Sequence, residues 1–152
     1  MTRALIAVGV ALTLLIGGLG LAVYLSRDED NIQVDQTLSE NFTRAVALSQ
    51  TRPDAPGEVR LDAIARFPWD HVLLVEAGTP AEAVSRRLGY PWTGTIGFQT
   101  GDALILLDGG KVARFMDYRG EGRFAGVRRP IDELSRARAV FRVRDLVITP
   151  KG

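Results

Sequence analysis

The feature that most constrains this chain is an uncharged, apolar run close to its start, at residues 4–25. Its 22 positions exceed the ~20 apolar residues that a helix needs to cross a bilayer core. A helix also satisfies its own backbone polar groups inside lipid. The run therefore predicts an N-terminal transmembrane helix within a membrane anchor at residues 1–26, with the lipid bilayer as a partner.

A cleaved secretory signal is the alternative interpretation of this run. The run is longer than the roughly 7–15 residues of a signal-peptide core, and no Ala-x-Ala site follows it. Arg3 precedes the run and Arg27 follows it, so the positive-inside rule gives only a weak bias. The length of the run and the missing cleavage site favour an uncleaved, single-pass signal anchor in the cell membrane. The short N-terminal tail favours an orientation with the C-terminal domain extracytoplasmic.

Composition excludes several kinds of site. The chain has no cysteine and one histidine, which excludes disulfide scaffolds, thiol nucleophiles and metal sites rich in cysteine or histidine. No acidic segment has the spacing of a calcium-binding loop, so neither a metal nor a cofactor is expected. Charge is unevenly divided, since residues 26–110 carry 7 basic and 13 acidic groups whereas residues 111–152 carry 11 and 5. This asymmetry indicates either a partner surface or attraction between two halves of one fold.

The polar stretch at residues 27–57 is predicted to be a tether. It begins with an acidic run and ends in Pro-Asp-Ala-Pro-Gly, and apolar residues at partial helical spacing predict a short helix around 36–50. Residues 58–152 are predicted to form a small α+β domain. Its expected architecture is an antiparallel or mixed sheet of about four strands with one packed helix.

Two local patterns early in this domain predict a strand and a helix. The apolar run at 71–77 is bounded by turn residues and is typical of a buried strand. Thr79 and Glu82 have the spacing of a capping box for a helix over 80–88. Gly89 is a signal for the end of that helix.

Later patterns predict a hairpin, a short helix and a last strand. The strands at 103–107 and 111–118 flank an Asp-Gly-Gly turn, which suits a tight hairpin. Residues 130–137 are predicted to form a short helix. Residues 139–149 are predicted to form one strand with a bulge or a change of face.

Several of these motifs occur in one order: an aromatic-Pro-Trp-Asp segment, a helix that ends in Leu-Gly, a second tryptophan, and a Gly-Lys-Val turn in a hairpin. The positions are Trp69, Asp70, Leu88, Gly89, Trp92, Gly110, Lys111 and Val112. Over about residues 67–143 the chain resembles a family of small bacterial exported or membrane-anchored proteins of unknown function. The resemblance implies an envelope location and a fold type, and it implies no activity.

A second resemblance rests on the Gly-Thr-Pro helix that ends in Leu-Gly-Tyr-Pro and is followed by a hairpin. This arrangement is similar to the small outer-membrane assembly lipoproteins of the BamE kind. The present chain departs from them because it lacks a lipidated cysteine and has a predicted strand before the helix.

Trp69 and Asp70 are predicted to be a structural keystone. Tryptophan buries a large area and needs a partner for its indole N–H. An aspartate at the next position suits a turn, because its carboxylate accepts hydrogen bonds from backbone N–H groups. A binding edge for a peptide or a glycan is the functional alternative.

Five arginines near a glycine-containing loop form the candidate binding surface: Arg114, Arg119, Arg123, Arg128 and Arg129. Guanidinium groups bind phosphate, carboxylate and anionic lipid headgroups, so the predicted partner is another envelope protein or an anionic envelope polymer. A solvated surface without a ligand is the alternative. Nucleic acid is not expected, because no aromatic stacking pattern accompanies the basic cluster and the domain is predicted to be exported.

No catalytic residue is predicted. His71 directly follows Asp70, but neighbouring strand residues point to opposite faces, so we expect no direct contact between them. The Gly-x-Gly-x-x-Ala pattern at 120–125 follows a hairpin strand and lacks the strand–helix context of a dinucleotide site.

Taken together, these features predict a membrane-anchored, non-enzymatic binding or accessory module of a bacterial cell envelope. One alternative is an envelope hydrolase whose site contains Asp70 or Asp102. The other is an assembly accessory protein of the BamE kind.

Overall fold

The structure, a computed structural model, describes residues 33–50, 57–94 and 101–151. The predicted anchor at residues 1–26 lies outside these residues and stays a prediction. Among the residues described, no helix combines the length and the apolar character that crossing a membrane requires. The compact unit that contains the described residues is Ile32–Gly152.

Within the described ranges, the chain forms helices and short strands in mixed order. The helices are α1 (Gln36–Ser49), α2 (Leu61–Ile64) and α3 (Ala81–Leu88), with a 3-10 turn at Arg136–Arg138. The strands are β1 (Gly57–Arg60), β2 (His71–Val75), β3 (Ala103–Asp108), β4 (Lys111–Asp117), β5 (Arg123–Phe124), β6 (Ile131–Ser135), β7 (Val140–Arg144) and β8 (Val147–Pro150).

These strands form two four-stranded sheets. The first sheet has the order β4-β3-β2-β6, and every neighbouring pair is antiparallel. The second sheet has the order β1-β7-β8-β5, in which only β5 and β8 are parallel. The predicted α+β class is confirmed, whereas the expected single sheet of about four strands is wrong.

The segment predicted as a short helix at 130–137 is instead strand β6 followed by the 3-10 turn. Leu134 lies opposite Val72 and is buried between the two sheets, while Ile131 packs on the other face of the first sheet. Residues three apart share a helix face but lie on opposite faces of a strand. Pairing with β2 therefore overrides the local pattern, as tertiary context often does.

The segment predicted as one strand at 139–149 is a hairpin. Strands β7 and β8 pair antiparallel, and between them Asp145 and Leu146 adopt φ values of 49° and 62°. Left-handed turn positions favour glycine, asparagine or aspartate. Leu146 does not match that preference, so the sequence carries no clear signal for the turn.

The hairpin of β3 and β4 is confirmed. Its loop is Gly109 and Gly110, with φ values of 58° and 80°. These left-handed positions carry little strain in glycine, because glycine has no Cβ.

Helix α3 and its end at Gly89 are also confirmed, since Gly89 adopts φ 83°. The predicted capping box is wrong. The hydroxyl of Thr79 donates to the Glu76 carbonyl at 2.6 Å, and Pro80 occupies the N-cap with no side-chain cap. The Thr79 side chain therefore closes the turn before the helix.

The first sheet is buried on both faces. One set of side chains faces the second sheet and α1 and includes Val72, Leu74, Leu104 and Leu106. The alternate set faces α3 and the Trp92 segment and includes Leu73, Val75, Ile105 and Leu107. Burial on both faces explains why β2 and β3 have nearly continuous apolar sequences.

Helix α1, which lies inside the predicted tether, packs into the core of this domain. Phe42 is fully buried, and its ring lies 5.8–6.3 Å from those of Tyr118, Phe124 and Phe141. Leu38 and Val46 are buried one turn to either side. The polar stretch therefore supplies a core helix, and the compact unit begins well before residue 58.

Candidate functional site

Trp69 lies in the core, beside the start of β2. The residue is 3% exposed, and its indole Nε1 donates to the Ala65 carbonyl at 3.1 Å. The guanidinium carbon of Arg136 lies 5.2 Å from the ring centroid, within the range of a cation–π contact. The burial and the bonded N–H are what the keystone prediction requires.

Asp70 connects three parts of the fold. Its Oδ2 accepts from the Gly109 N–H at 3.0 Å, which ties it to the loop of the β3–β4 hairpin. Its backbone N–H donates to the Leu107 carbonyl, and its carbonyl accepts from the Arg136 N–H, both at 2.7 Å. The keystone role of Trp69 and Asp70 stays a prediction that stability measurements can test.

Asp70 and His71 are in contact, so the expectation that their side chains point apart is wrong. His71 Nδ1 lies 3.1 Å from Asp70 Oδ1, and both side chains are about half exposed. The reason is that Asp70 precedes β2 rather than lying within it, so the alternation of a strand does not apply. The Gly109 N–H bond, and secondarily His71, hold the pKa of the Asp70 carboxyl below its usual range.

The second carboxylate of the hydrolase hypothesis, Asp102, is also engaged. Its Oδ1 accepts from the Ala77 N–H at 2.9 Å. The cavity that it helps to line has a volume of about 10 Å³, which is room for no more than one water molecule. Asp102 therefore ties the end of β2 to the start of β3 and does not border a substrate-sized cleft there.

Three of the five predicted surface arginines form ion pairs within the domain. Arg114 pairs with Asp35 at 2.8 Å. Arg119 pairs with Asp117, whose side chain is only 4% exposed. Arg129 pairs with Glu76 and donates to the Phe124 carbonyl at 3.0 Å. The Arg114 and Arg129 pairs join segments that are distant in the sequence, whereas Arg119 and Asp117 are only two positions apart. All three side chains therefore have contacts within the domain beside any binding role.

The other two, Arg123 and Arg128, are exposed and form no ion pair with the described residues. Arg123 lies on the edge strand β5. Arg128 follows it by five positions and lines a groove next to β6. Of the five predicted residues, only Arg128 lines this groove.

We call this cleft the β6 groove; its volume is about 570 Å³, and its lining includes Arg87, Arg128, Asp132, Glu133, Leu134 and Arg138. The lining comes from the end of α3, the loop before β6, β6 itself and the 3-10 turn. A volume of this size falls in the usual range of roughly 300–1,000 Å³ for ligand clefts.

The two acidic side chains of the β6 groove are already occupied. Glu133 forms an ion pair with Arg87. The Asp132 carboxylate accepts from the backbone N–H of Arg128 at 3.1 Å and from that of Glu133 at 2.9 Å. Arg128 and Arg138 therefore remain the two guanidinium groups of the groove without an ion-pair partner among the described residues. Such groups bind carboxylates and phosphates with charge-assisted hydrogen bonds.

Sequence reasoning missed Arg87 and Arg138. Arg87 lies 41 positions before Arg128, and the two approach only because α3 packs on the first sheet beside its edge strand. The sequence predicts a helix at 130–137, directly before Arg138, whereas the structure has β6 there and ends the 3-10 turn at Arg138. For Arg138 the only signal in the sequence is the general excess of arginine in residues 111–152, and for Arg87 the sequence carries no such signal.

Within the described residues, no cluster of three histidine, aspartate or glutamate side chains could hold a metal ion. Comparison of the chain with protein-family models, with curated proteins and with solved structures gave no match. Both family resemblances of the sequence therefore stay predictions.

Proposed function

We propose that this chain is a single-pass, membrane-anchored module of a bacterial cell envelope that binds an anionic partner outside the cytoplasm. The observation that carries the proposal is the β6 groove, in which Arg128 and Arg138 have no carboxylate partner while the neighbouring acids are occupied. Two such guanidinium groups favour a ligand with carboxylate or phosphate groups.

The predicted anchor adds a physical advantage to this arrangement. A module held at the membrane meets a membrane-bound partner at a high effective concentration, so a modest intrinsic affinity gives stable association. The partner is therefore expected to be another envelope protein or an anionic polymer attached to the envelope. A role as an assembly accessory protein of the BamE kind is one specific form of this proposal.

The proposal can be tested by site-specific photo-crosslinking in cells. A photoreactive residue replaces Val127, which lines the groove, in the full-length chain. We expect a discrete crosslinked product that is lost when Arg128→Glu and Arg138→Glu are combined. Arg144→Glu is the matched control, because Arg144 is exposed on β7 and does not line the groove.

An unchanged product in the Arg128→Glu/Arg138→Glu variant would contradict the binding proposal. The location is tested separately with reporters fused after Gly152: activity of a reporter that works only outside the cytoplasm supports the proposed topology. Inactivity of that reporter, with activity of a cytoplasmic one, would overturn it.

The envelope hydrolase has one observation in its favour, the contact between His71 and Asp70. A catalytic carboxylate–imidazole pair needs a carboxylate that orients the histidine, and Asp70 is placed to do so. However, the same carboxylate also accepts from Gly109, which gives it a structural task. His71→Ala separates the two hypotheses: a hydrolase would lose its activity, whereas the binding module would keep its crosslinked product.

A further inference from the structure

Strand β6 is an edge strand, and its hydrogen-bonding pattern can be read from its two ends. The Glu76 N–H donates to the Pro130 carbonyl, and the Arg136 N–H donates to the Asp70 carbonyl. Both pairs continue the antiparallel register of β2 and β6 by one residue at either end. Since hydrogen-bonded pairs alternate along an antiparallel ladder, Asp132 and Leu134 bond to β2, and the backbone groups of Ile131, Glu133 and Ser135 face outwards.

Some of these outward groups are satisfied and others are open. Asp132 Oδ1 accepts from the Glu133 N–H, and the Ser135 carbonyl accepts from the Ala139 N–H. The carbonyls of Ile131 and Glu133 and the N–H of Ser135 have no partner among the described residues. Open groups of this kind on an edge strand are a template for another strand.

We propose that β6 binds an extended peptide with acidic side chains, which adds to the first sheet as a fifth strand. Backbone hydrogen bonds to an exposed edge supply affinity, and pockets or charges beside the edge supply specificity. The charges beside the edge that lack an ion-pair partner among the described residues are Arg128 and Arg138, because Glu133 pairs with Arg87 and Asp132 accepts from two backbone N–H groups. The fitting side chains are therefore aspartate and glutamate. This inference rests on the proposed function and specifies its ligand as a peptide.

Ser135 offers a direct test of the backbone part. Its φ is −67°, which matches the value that proline imposes, and its N–H faces away from β2. Ser135→Pro therefore removes one outward donor and leaves the ladder with β2 intact. Ser135→Ala is the matched control, because it removes the same hydroxyl and keeps the N–H.

The experiment measures binding of fluorescent peptides to the full-length chain in detergent micelles. The probe is a capped heptapeptide of alternating valine and glutamate, compared with its valine–lysine counterpart and with a copy methylated at its peptide nitrogens. Wild-type protein and Ser135→Ala are expected to bind the glutamate probe with equal affinity. Binding should fall about tenfold or more for Ser135→Pro, the lysine probe and the methylated probe, since each loses charge-assisted or backbone hydrogen bonds.

The outcomes distinguish this inference from the function on which it rests. Strand addition would be overturned if the methylated probe bound wild-type protein, and the glutamate probe bound Ser135→Pro, as tightly as the glutamate probe binds wild-type protein. If Arg128→Glu/Arg138→Glu still lost binding in that case, the proposed anion-binding groove would stand without strand addition. No effect of that double variant on the glutamate probe, with Arg144→Glu as its control, would overturn both. Circular dichroism melts of each variant establish that a loss of binding comes from a folded protein.

Discussion

Asp35 and Arg114 lie 79 positions apart in the sequence and form an ion pair at 2.8 Å. The same Asp35 carboxylate caps α1 by accepting from the Leu38 N–H at 2.9 Å. The Asp35 backbone N–H donates to the Phe115 carbonyl, next to an isolated parallel bridge between Val34 and Phe115. One aspartate therefore starts the helix and fastens it to the open edge of β4.

We expect the cap to matter more for stability than the ion pair. Asp35→Ala should lower the free energy of unfolding by about 1–2 kcal/mol, since it removes both interactions. Asp35→Asn should lower it by less than about 1 kcal/mol, because asparagine still caps a helix and the lost pair is partly exposed. Denaturant unfolding measures the difference. Equal losses in the two variants would mean that the charge, not the cap, dominates.

Phe42 is expected to be one of the most sensitive positions in the chain. Its ring is fully buried among three other aromatic rings, and a phenylalanine-to-alanine change in a core costs about 3–5 kcal/mol. Leu48, on the same helix, is 62% exposed, so Leu48→Ala should cost less than about 0.5 kcal/mol. Thermal unfolding of Phe42→Ala and Leu48→Ala tests both expected changes in stability. A mild effect of Phe42→Ala would show that α1 is not an integral part of the core.

Asp70 should make the stability depend on pH in the acidic range. Its pKa is lower in the folded protein, first through the Gly109 N–H bond and second through His71, so the folded state favours the ionised carboxylate. The stabilisation is therefore present above the unfolded pKa of about 3.9 and is lost as the pH falls through the lower folded value. Unfolding free energies measured from pH 6 to pH 2 should show a gap between wild type and Asp70→Asn that narrows below about pH 4.

His71→Ala serves as the control for this pH effect. It removes the smaller cause of the shift and leaves the Gly109 bond in place, so the variant should keep most of the acid-dependent loss of wild type. If His71→Ala instead behaves like Asp70→Asn, the imidazole and not the hairpin loop is the main partner of the carboxylate.

The turn between β7 and β8 offers a stabilising change. Leu146 adopts φ 62° and is 41% exposed, and a non-glycine residue in that conformation is strained by about 1 kcal/mol. Leu146→Gly is expected to raise the free energy of unfolding by up to about 1 kcal/mol, offset in part by the greater freedom of glycine in the unfolded chain. A rise in the melting temperature of Leu146→Gly would confirm this prediction. A lower melting temperature would indicate that packing of the Leu146 side chain stabilises the fold.

The sequence predicted those elements whose local chemistry agrees with their tertiary role. Gly109 and Gly110 specify the β3–β4 loop, and Gly89 ends α3, because a left-handed conformation is needed at each position. The β7–β8 turn was missed, since Leu146 is not a residue that such a turn usually contains. Local chemistry also left β6 ambiguous, because its strand form depends on pairing with β2, whose partner residues lie 56 to 64 positions earlier in the sequence.

The candidate site was predictable only in part. An excess of arginine indicated an anion-binding surface, but ion pairs with Asp35, Asp117 and Glu76 engage three of the five predicted side chains. Asp35 and Glu76 lie far from Arg114 and Arg129 in the sequence, so no local pattern predicts these two pairs. Arg87 and Arg138 join the β6 groove through the packing of α3 and the 3-10 turn, which sequence reasoning could not supply.

The burial of β2 and β3 on both faces also affects what happens to this protein when it unfolds. Each strand contains a stretch of consecutive apolar residues without a charge, Val72–Val75 in β2 and 103–107 in β3. Such stretches are shielded in the native state but resemble the segments that seed intermolecular β-aggregates when they are exposed. Destabilised variants are therefore expected to aggregate or to be degraded rather than to persist as partly active protein. Solubility has to be measured alongside every loss of binding.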